Sequence, residues 1–579
     1  MLLSPLALAL VQVLISAASK SLERKLLAHV VEPALWGRRH LVSLPYDIGM
    51  APLRGQALFI SLVILLNLGL SVVHYEGSMP NSNYESKSDA FWTYFSNRAG
   101  YLSFANLAVV FLYSGRNNPL IWLSGWSYGT FVLLHRWVAY VCVTQASVHS
   151  IIKLIKHIPY FSKMFVKLYW NLGFGGFLVF VAMFATSVLP VRRRWYQVFL
   201  DIHNILAVAA LALCFFHVYV EFGYSWGYEN WIILSAVIWA LERVARLVKA
   251  ARHGVRTAAV TPLDGDYCEV TVDGVSETGY VYLYFPQGWW RMWESHPFSV
   301  ASAVDTAKHG TAAYSKPQEA GEAMFELGSD NESESDPSDW QGRAGNASND
   351  TLARKSEDYQ LMPMDTKQEN GTPPNLQSPL REDERLLNAN EGGQHIEDEG
   401  DDVLLLHRSQ AAAARLSFLV RRQRGVTNRL FHSQQPQRVL VEGPYHSVST
   451  SSALGAATAQ VICIVGGSGI TAVLPLLRSR ASGATGRTVL YWSCRSEALV
   501  QASGVKELGS AIECHILVGR RFEVEDVIHR ETGSIDGDLA VVTCGPAGLA
   551  DDVRHAVVKE NRNTDGQGII RLYEECYSW

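Results

Sequence analysis

Two apolar, helix-length segments carry histidines in pairs at one spacing: His135 and His149 on the first, His203 and His217 on the second. Fourteen residues of α-helix rise about 21 Å and stop about 40° short of four full turns. Each pair therefore lies on one helix face, with one member near each edge of a bilayer's hydrocarbon. A histidine in a spanning helix is costly and usually functional. Facing neutral imidazoles hold a six-coordinate b-type haem that passes electrons without binding oxygen. A single buried histidine can equally be a hydrogen-bonded core residue, but that reading does not supply a repeated spacing. The pattern is one for two haems stacked across a membrane.

Apolar windows of spanning length fall at 2–18, 56–75, 99–114, 123–149, 168–190, 197–220 and 230–249. The first could instead be a signal peptide, but no basic residue precedes its apolar run. The last runs into Arg243, Arg246, Lys249 and Arg252 and then into strand-like sequence. With six helices after residue 55, the loop over 19–55 returns to that same side. It carries Lys20, Arg24, Lys25, Arg38, Arg39 and Arg54, as cytosolic loops do. The Arg192–Arg194 turn agrees, whereas Lys153, Lys156, Lys163 and Lys167 fall on the outer side against the trend. The expected topology keeps the first helix uncleaved with its N-terminus outside. Because the two histidine helices are separated by one other, they run parallel. His135 is then level with His203 near the cytosol, and His149 with His217 near the outside.

The eight cysteines show neither CxxC spacing nor a histidine cluster, so no disulfide framework or zinc site is expected.

These spacings, together with His296-Pro297-Phe298-Ser299, Gly443-Pro444 and Gly466-Gly467-Ser468-Gly469 further on, resemble the fungal ferric reductase family, membrane metalloreductases related to NADPH oxidases. The likeness covers roughly residues 35–303 and 411–579 and includes the segment PLRGQALFI at 52–60. It implies a multi-domain chain. An α-helical membrane bundle, a six-helix haem core plus an N-terminal helix, precedes a β-barrel FAD domain and an α/β NADPH-binding domain of ferredoxin reductase type.

From 255 the pattern changes to short β-prone runs. The resemblance makes His296, Pro297, Phe298 and Ser299 a flavin-binding strand whose aromatic and hydroxyl groups would pack against the isoalloxazine; on the residues alone this could be an edge-strand turn. Residues 303–410 hold 23 Asp and Glu against 9 Lys and Arg, which is the composition of a disordered insertion. The domain resumes at LSFLVRRQ. There Gly425 and Thr427 open a helix whose backbone N–H groups can face a phosphate, as in the family's second flavin motif. Gly443 and Pro444 close that domain in what is otherwise a strand ending in a turn.

QVICIVG then reads as a buried strand, and Gly466, Gly467, Ser468, Gly469 and Thr471 lead into a helix where amides can approach a pyrophosphate. The turn could be purely structural, and it is not GxGxxG. The resemblance implies that this loop binds NADPH, that Arg495 pairs with the 2′-phosphate, and that Cys544, Gly545 and Pro546 sit near the nicotinamide. It implies that the terminal Trp579 covers the flavin; a frayed tail is the alternative.

The expected domains are an N-terminal helix and cytosolic loop (1–55), a transmembrane di-haem domain (56–250), an FAD domain in two parts (251–302 and 411–446) around the acidic insertion (303–410), and an NADPH domain (447–579). The expected enzyme is a multi-pass, NADPH-dependent ferric-chelate reductase of the plasma membrane, or alternatively the vacuolar membrane. It would carry two haem b groups, FAD and NADPH and act on extracellular ferric or cupric chelates. Its expected partners are the lipid bilayer and an iron permease or oxidase downstream, and no nucleic acid. The competing reading is an NADPH oxidase that reduces oxygen to superoxide.

Overall fold

The computed structural model describes residues 4–45, 49–76, 80, 82–286, 294–305, 414–423, 425–433, 435–445, 454, 460–483, 486–533, 537–563 and 568–575. The chain divides into two compact units, 1–310 with 402–579 and 311–401, and every described residue belongs to the first.

Helices fall in each of the seven apolar windows: α1 (Ser4–Ala18), α2 (Arg54–Val72), α3 (Lys87–Ser114), α4 (Tyr128–His157), α5 (Leu168–Thr186), α6 (Tyr196–Phe222) and α7 (Glu229–His253). Four segments are long and apolar enough to cross a membrane: Arg54–Val72, Tyr128–Met164, Leu168–Thr186 and Tyr196–Phe222. This is a multi-pass membrane protein. Helix α3 starts at Lys87, well before the expected 99, because Ser86 caps it by accepting from the Asp89 amide at 3.1 Å. Its polar residues are used inside the bundle. Asn106 Nδ2 donates to Asn67 Oδ1 (2.7 Å) and Gln145 Oε1 (2.8 Å), and Gln145 Nε2 donates to Asn67 Oδ1 (3.1 Å). All three amides are buried, so their hydrogen bonds tie α2, α3 and α4 where apolar packing alone leaves register loose.

Beyond α7 lie β1 (Val255–Pro262), β2 (Tyr267–Asp273), β3 (Tyr280–Tyr284), β4 (Ser295–Ser299), β5 (Ser302–Asp305), β6 (Ala414–Arg421), the short α8 (Val426–Phe431) and β7 (Gln437–Tyr445). The strands form an antiparallel seven-stranded sheet in the order β4-β3-β7-β1-β2-β6-β5. Alternating residues such as Val270, Val272, Leu416 and Phe418 fill one core. The sheet curls far enough to bring Phe298 of β4 within 6.1 Å of Phe418 of β6, ring centre to ring centre. Strand β5 pairs with β6 from Ser302↔Ser417 to Asp305↔Ala414, so the described sheet runs to Asp305 and resumes at Ala414.

The last part is a parallel sheet, β10-β9-β8-β11-β12, built from β8 (Gln460–Gly466), β9 (Thr488–Cys494), β10 (Glu513–Val518), β11 (Leu539–Cys544) and β12 (Ile570–Glu574). It alternates with α9 (Ile470–Ala481), α10 (Glu497–Ser503), α11 (Val524–Gly533) and α12 (Ala547–Asn563). Strands such as LAVVTC are buried along their whole length, as a sheet covered on both faces requires. The helical membrane region is thus followed by an antiparallel sheet and then by a parallel sheet flanked by helices.

Candidate functional site

The four histidines form two pairs across α4 and α6. The ring centres of His135 and His203 are 6.3 Å apart, and those of His149 and His217 are 6.4 Å apart. Two imidazoles on opposite sides of one metal, bound at about 2 Å each, have ring centres about 6 Å apart once the ring radius is added. Both pairs therefore have the separation at which they could hold a bis-histidine haem iron.

Hydrogen bonds fix which nitrogen faces the gap. His135 Nδ1 bonds the Val110 carbonyl at 2.9 Å, His149 Nδ1 the Ser96 carbonyl at 2.8 Å, and His217 Nδ1 the Tyr169 carbonyl at 2.8 Å. A carbonyl only accepts, so Nδ1 carries the proton and Nε2 keeps its lone pair, the form a metal needs. His203 differs, since its Nδ1 meets the Ser187 hydroxyl at 3.4 Å. Behind the second pair lie glycines that spacing alone did not single out. A Cβ on Gly100 would come 2.8 Å from His149 Nδ1, and one on Gly173 would come 2.7 Å from His217. These glycines let α3 and α5 press against the imidazoles.

The other end of α3 reaches the antiparallel sheet. Glu442 of β7 is fully buried. Arg116 Nη1 donates to it at 3.1 Å, Arg246 Nε at 3.2 Å and the Tyr445 hydroxyl at 2.6 Å, and the Tyr284 hydroxyl donates to it as well. Burial alone would raise the Glu442 carboxyl, but the two guanidinium groups and two hydroxyls outweigh it and hold the group below its ordinary value. Arg116 also donates to Ser295 Oγ at 2.9 Å and lies 3.4 Å over the Tyr282 ring. Its amide and that of Asn117 each reach a Glu242 oxygen of α7 at 3.0 Å. Sequence reading passes over Glu442 as the end of a strand. The available signal is a lone carboxylate in the apolar run VLVEG, since a buried charge requires partners.

The residues expected to hold flavin lie around this knot. Gly443 lets β7 approach β3, because a Cβ there would meet Val281 Cγ1 at 2.7 Å. The ladder passes from Tyr282↔Glu442 to Tyr280↔Tyr445, so two residues of β7, Gly443 and Pro444, oppose the single Val281 of β3 and form a bulge. On β4, Ser295, Pro297 and Ser299 share one face, while His296 and Phe298 point to the other. Phe298 is half-buried against Phe418, so part of its ring serves the sheet core. His296 Nε2 is buried with no partner among the described residues, and burial together with the nearby Arg429 of α8 lowers the ring's pKa to about 4. An unmatched buried nitrogen beside an arginine fits a polar, anionic cofactor such as FAD. Gly425 precedes α8 with φ +99°, and the Thr427 hydroxyl donates to the Gln423 carbonyl at 3.0 Å, closing that turn.

In the parallel sheet, strand order reverses between β8 and β11, and the crevice beyond their carboxyl ends is where such folds take ligands. Gly466–Thr471 and Cys544–Pro546 meet there. A Cβ on Gly469 would lie 2.5 Å from the Cys544 carbonyl oxygen, and one on Gly466 2.9 Å from Pro546 Cδ, so these two glycines are needed for loop contact. Gly467 sits at φ +57°, and the Thr471 hydroxyl donates to the Ser468 carbonyl at 2.9 Å. Cys544 Sγ donates to the Glu575 carbonyl at 3.0 Å. Arg495 is exposed just past β9. The Gly519 amide bonds the Cys494 carbonyl at 2.8 Å, so Arg520 and Arg521 continue from the same sheet edge; sequence reading did not single them out. Trp579 lies outside the described residues.

Residues 99–214 match the family model described as "Ferric reductase like transmembrane component". The chain is similar to Ferric reductase transmembrane component 3 of Saccharomyces cerevisiae, 26% identical over 283 residues, 47% of this chain and 39% of that relative. It is similar also to Ferric/cupric reductase transmembrane component 1 of Candida albicans, 27% identical over 274 residues, 45% of this chain and 34% of that relative. The match thus spans little more than a third of each relative's length. Among solved structures, a flavohemoglobin from Malassezia yamatoensis with bound FAD and heme aligns over 84% of this chain and 97% of its own at TM-score 0.33 and 10% identity.

Proposed function

From the match of residues 99–214 to the family model described as "Ferric reductase like transmembrane component", we propose that this chain is a transmembrane metalloreductase. It takes electrons from NADPH on the side of its sheet domains and delivers them to ferric or cupric chelates across the membrane. The observation that carries this reading is the pair of imidazole gaps, 6.3 and 6.4 Å between ring centres, stacked along α4 and α6. His135 with His203 and His149 with His217 would hold two b-type haems; His296, Gly425 and the Gly443-Pro444 bulge would hold FAD; the Gly466–Thr471 loop, Arg495 and Cys544–Pro546 would hold NADPH. When bound, these groups supply the hydride and one-electron chemistry.

The chain's own work is placement. The backbone carbonyls of Val110, Ser96 and Tyr169 hold three imidazoles in the lone-pair-outward tautomer. Val110 is six residues from Arg116 on the continuation of α3, so the carbonyl that orients His135 and the guanidinium that grips Glu442 belong to nearly one rigid segment. The His135/His203 pair is accordingly the one on the flavin side. The proposed location is the plasma membrane, with the sheet domains in the cytosol and the substrate side outside.

A whole-cell comparison of ferric-chelate, cupric and oxygen reduction tests the proposal. Chelate reduction that is lost in His149→Ala supports it. Superoxide formation without chelate reduction replaces it with an oxidase.

A further inference from the structure

The segment between α1 and α2 lies against α12 of the parallel sheet domain. Glu32 and Glu574 each accept from a terminal nitrogen of Arg554, and Arg562 Nε donates to the Ala28 carbonyl at 3.0 Å. Between segment and helix is a cavity of about 80 Å³ lined by Arg38, Arg54, Arg554, His555 and Arg562, with no acidic residue in the lining. At roughly 10–15 Å³ per water this is room for several waters or one tetrahedral oxyanion, and too little for a nucleotide.

Arg554 is only 7% exposed, and although both its terminal nitrogens are paired, its Nε is buried with no partner among the described residues. A buried donor left unmatched costs about 1–3 kcal/mol, so such donors usually meet a partner. Arg54 is the first residue of α2, a 19-residue helix apolar enough to cross a membrane, and brings that helix's positive end to the cavity. One nitrogen of Arg54 is occupied, by the His29 carbonyl at 3.2 Å, which leaves most of its five donors to spare. Three nearby carboxylates already pair with lining arginines, Glu32 and Glu574 with the terminal nitrogens of Arg554 and Glu525 with Arg38 at 3.5 Å, while Asp551 accepts from the amides of His40, Leu41 and Val42; Arg54, Arg562 and Arg554 Nε are left facing no carboxylate of the lining.

We propose that this cavity binds a phosphate-class anion, which Arg54, Arg554 and Arg562 grip together and which fastens the segment before α2 to the parallel sheet domain. The chemistry is that of a terminal phosphate group, either free inorganic phosphate or the monoester of a lipid headgroup, since the cavity lies where a membrane span begins.

The test uses the full chain. In detergent micelles, its thermal midpoint is followed while potassium phosphate is titrated against potassium chloride of equal ionic strength. In a second arm the protein is placed in phosphatidylcholine vesicles with and without phosphatidylinositol 4-phosphate. A phosphate-specific rise in midpoint identifies the free anion; a rise only with the phosphoinositide identifies the headgroup. In R54Q/R562Q, whose two side chains are exposed, the concentration giving half the effect should rise about tenfold, as loss of charged hydrogen bonds requires. That dependence separates this cavity from the nucleotide loops. If the double variant already melts early in chloride, the same two substitutions are compared by equilibrium dialysis of phosphate or by vesicle-bound phosphoinositide at a temperature where both proteins are folded. No response in either arm, or a response unchanged in the double variant, overturns the proposal.

Discussion

Arg116 and Glu442 lie 326 positions apart in the chain and meet through a 3.1 Å ion pair in which the carboxylate is fully buried. One partner extends the helix that orients His135, and the other sits on the strand that carries the Gly443-Pro444 bulge. Glu442→Ala strands two guanidinium groups in a dry site and should destabilise the protein by about 3–5 kcal/mol. Because Arg116→Ala removes part of the same knot, the double variant should lose less than the two singles combined. Thermal unfolding of the three variants measures this, and strict additivity would argue against the coupling.

Each histidine pair should account for one haem. His149→Ala should halve the haem b content per chain while the His135/His203 pair keeps its absorption, and His135→Ala should do the converse. A pyridine haemochrome measurement on purified protein reads both, and full haem content in either variant would contradict the assignment.

Gly100→Ala separates helix propensity from ligand packing. At an unconstrained helical site this change stabilises by about 1 kcal/mol. Here the added Cβ would sit 2.8 Å from His149 Nδ1, so it should displace the imidazole and lower outer-haem occupancy while the inner haem is kept. Gly173→Ala should act likewise through His217. Low-spin haem signals in electron paramagnetic resonance resolve the two sites.

His296 gives the antiparallel sheet an acid limit. Burial, then Arg429, lowers its pKa from 6.5 to about 4, so the folded protein keeps it neutral while the unfolded chain protonates. That contribution is present above pH 6.5 and is lost as the pH falls towards 4, in all about 3 kcal/mol. Glu442, also held low, adds an acid loss beginning near its ordinary value of 4.5. Thermal midpoints between pH 7 and pH 4 should fall, and His296→Asn should flatten the upper part of that fall.

Arg495→Ala should raise the KM for NADPH by roughly ten- to a hundredfold, the cost of a charged hydrogen bond, and leave that for NADH unchanged. An equal loss with both nucleotides would move 2′-phosphate recognition to Arg520 or Arg521.

What could be read from sequence was local. The equal spacing of the histidines marked both pairs, since one helix carries a whole side of each. Apolar runs marked the helices, and glycine-rich strand ends marked the crevice of the parallel sheet. The supports are contacts between elements and leave no such trace: Gly100 and Gly173 look like ordinary small residues until α3 and α5 pack on the imidazoles. Glu442 looked like punctuation because its partners lie in other elements. The segment before α2 read only as a basic loop, yet Glu23 and Arg571, 548 positions apart, pair at 3.1 Å.

Asp305 and Ala414 are register partners on neighbouring strands, although 108 residues separate them in the chain. Connecting two ends that are already adjacent costs only about 0.6 kcal/mol more for each doubling of the connecting length. The β5–β6 junction is therefore a place where the gene can lengthen, shorten or acquire a foreign cassette with little penalty to the sheet. A fluorescent reporter spliced there should leave the barrel intact, making this the natural port for following the protein in living cells.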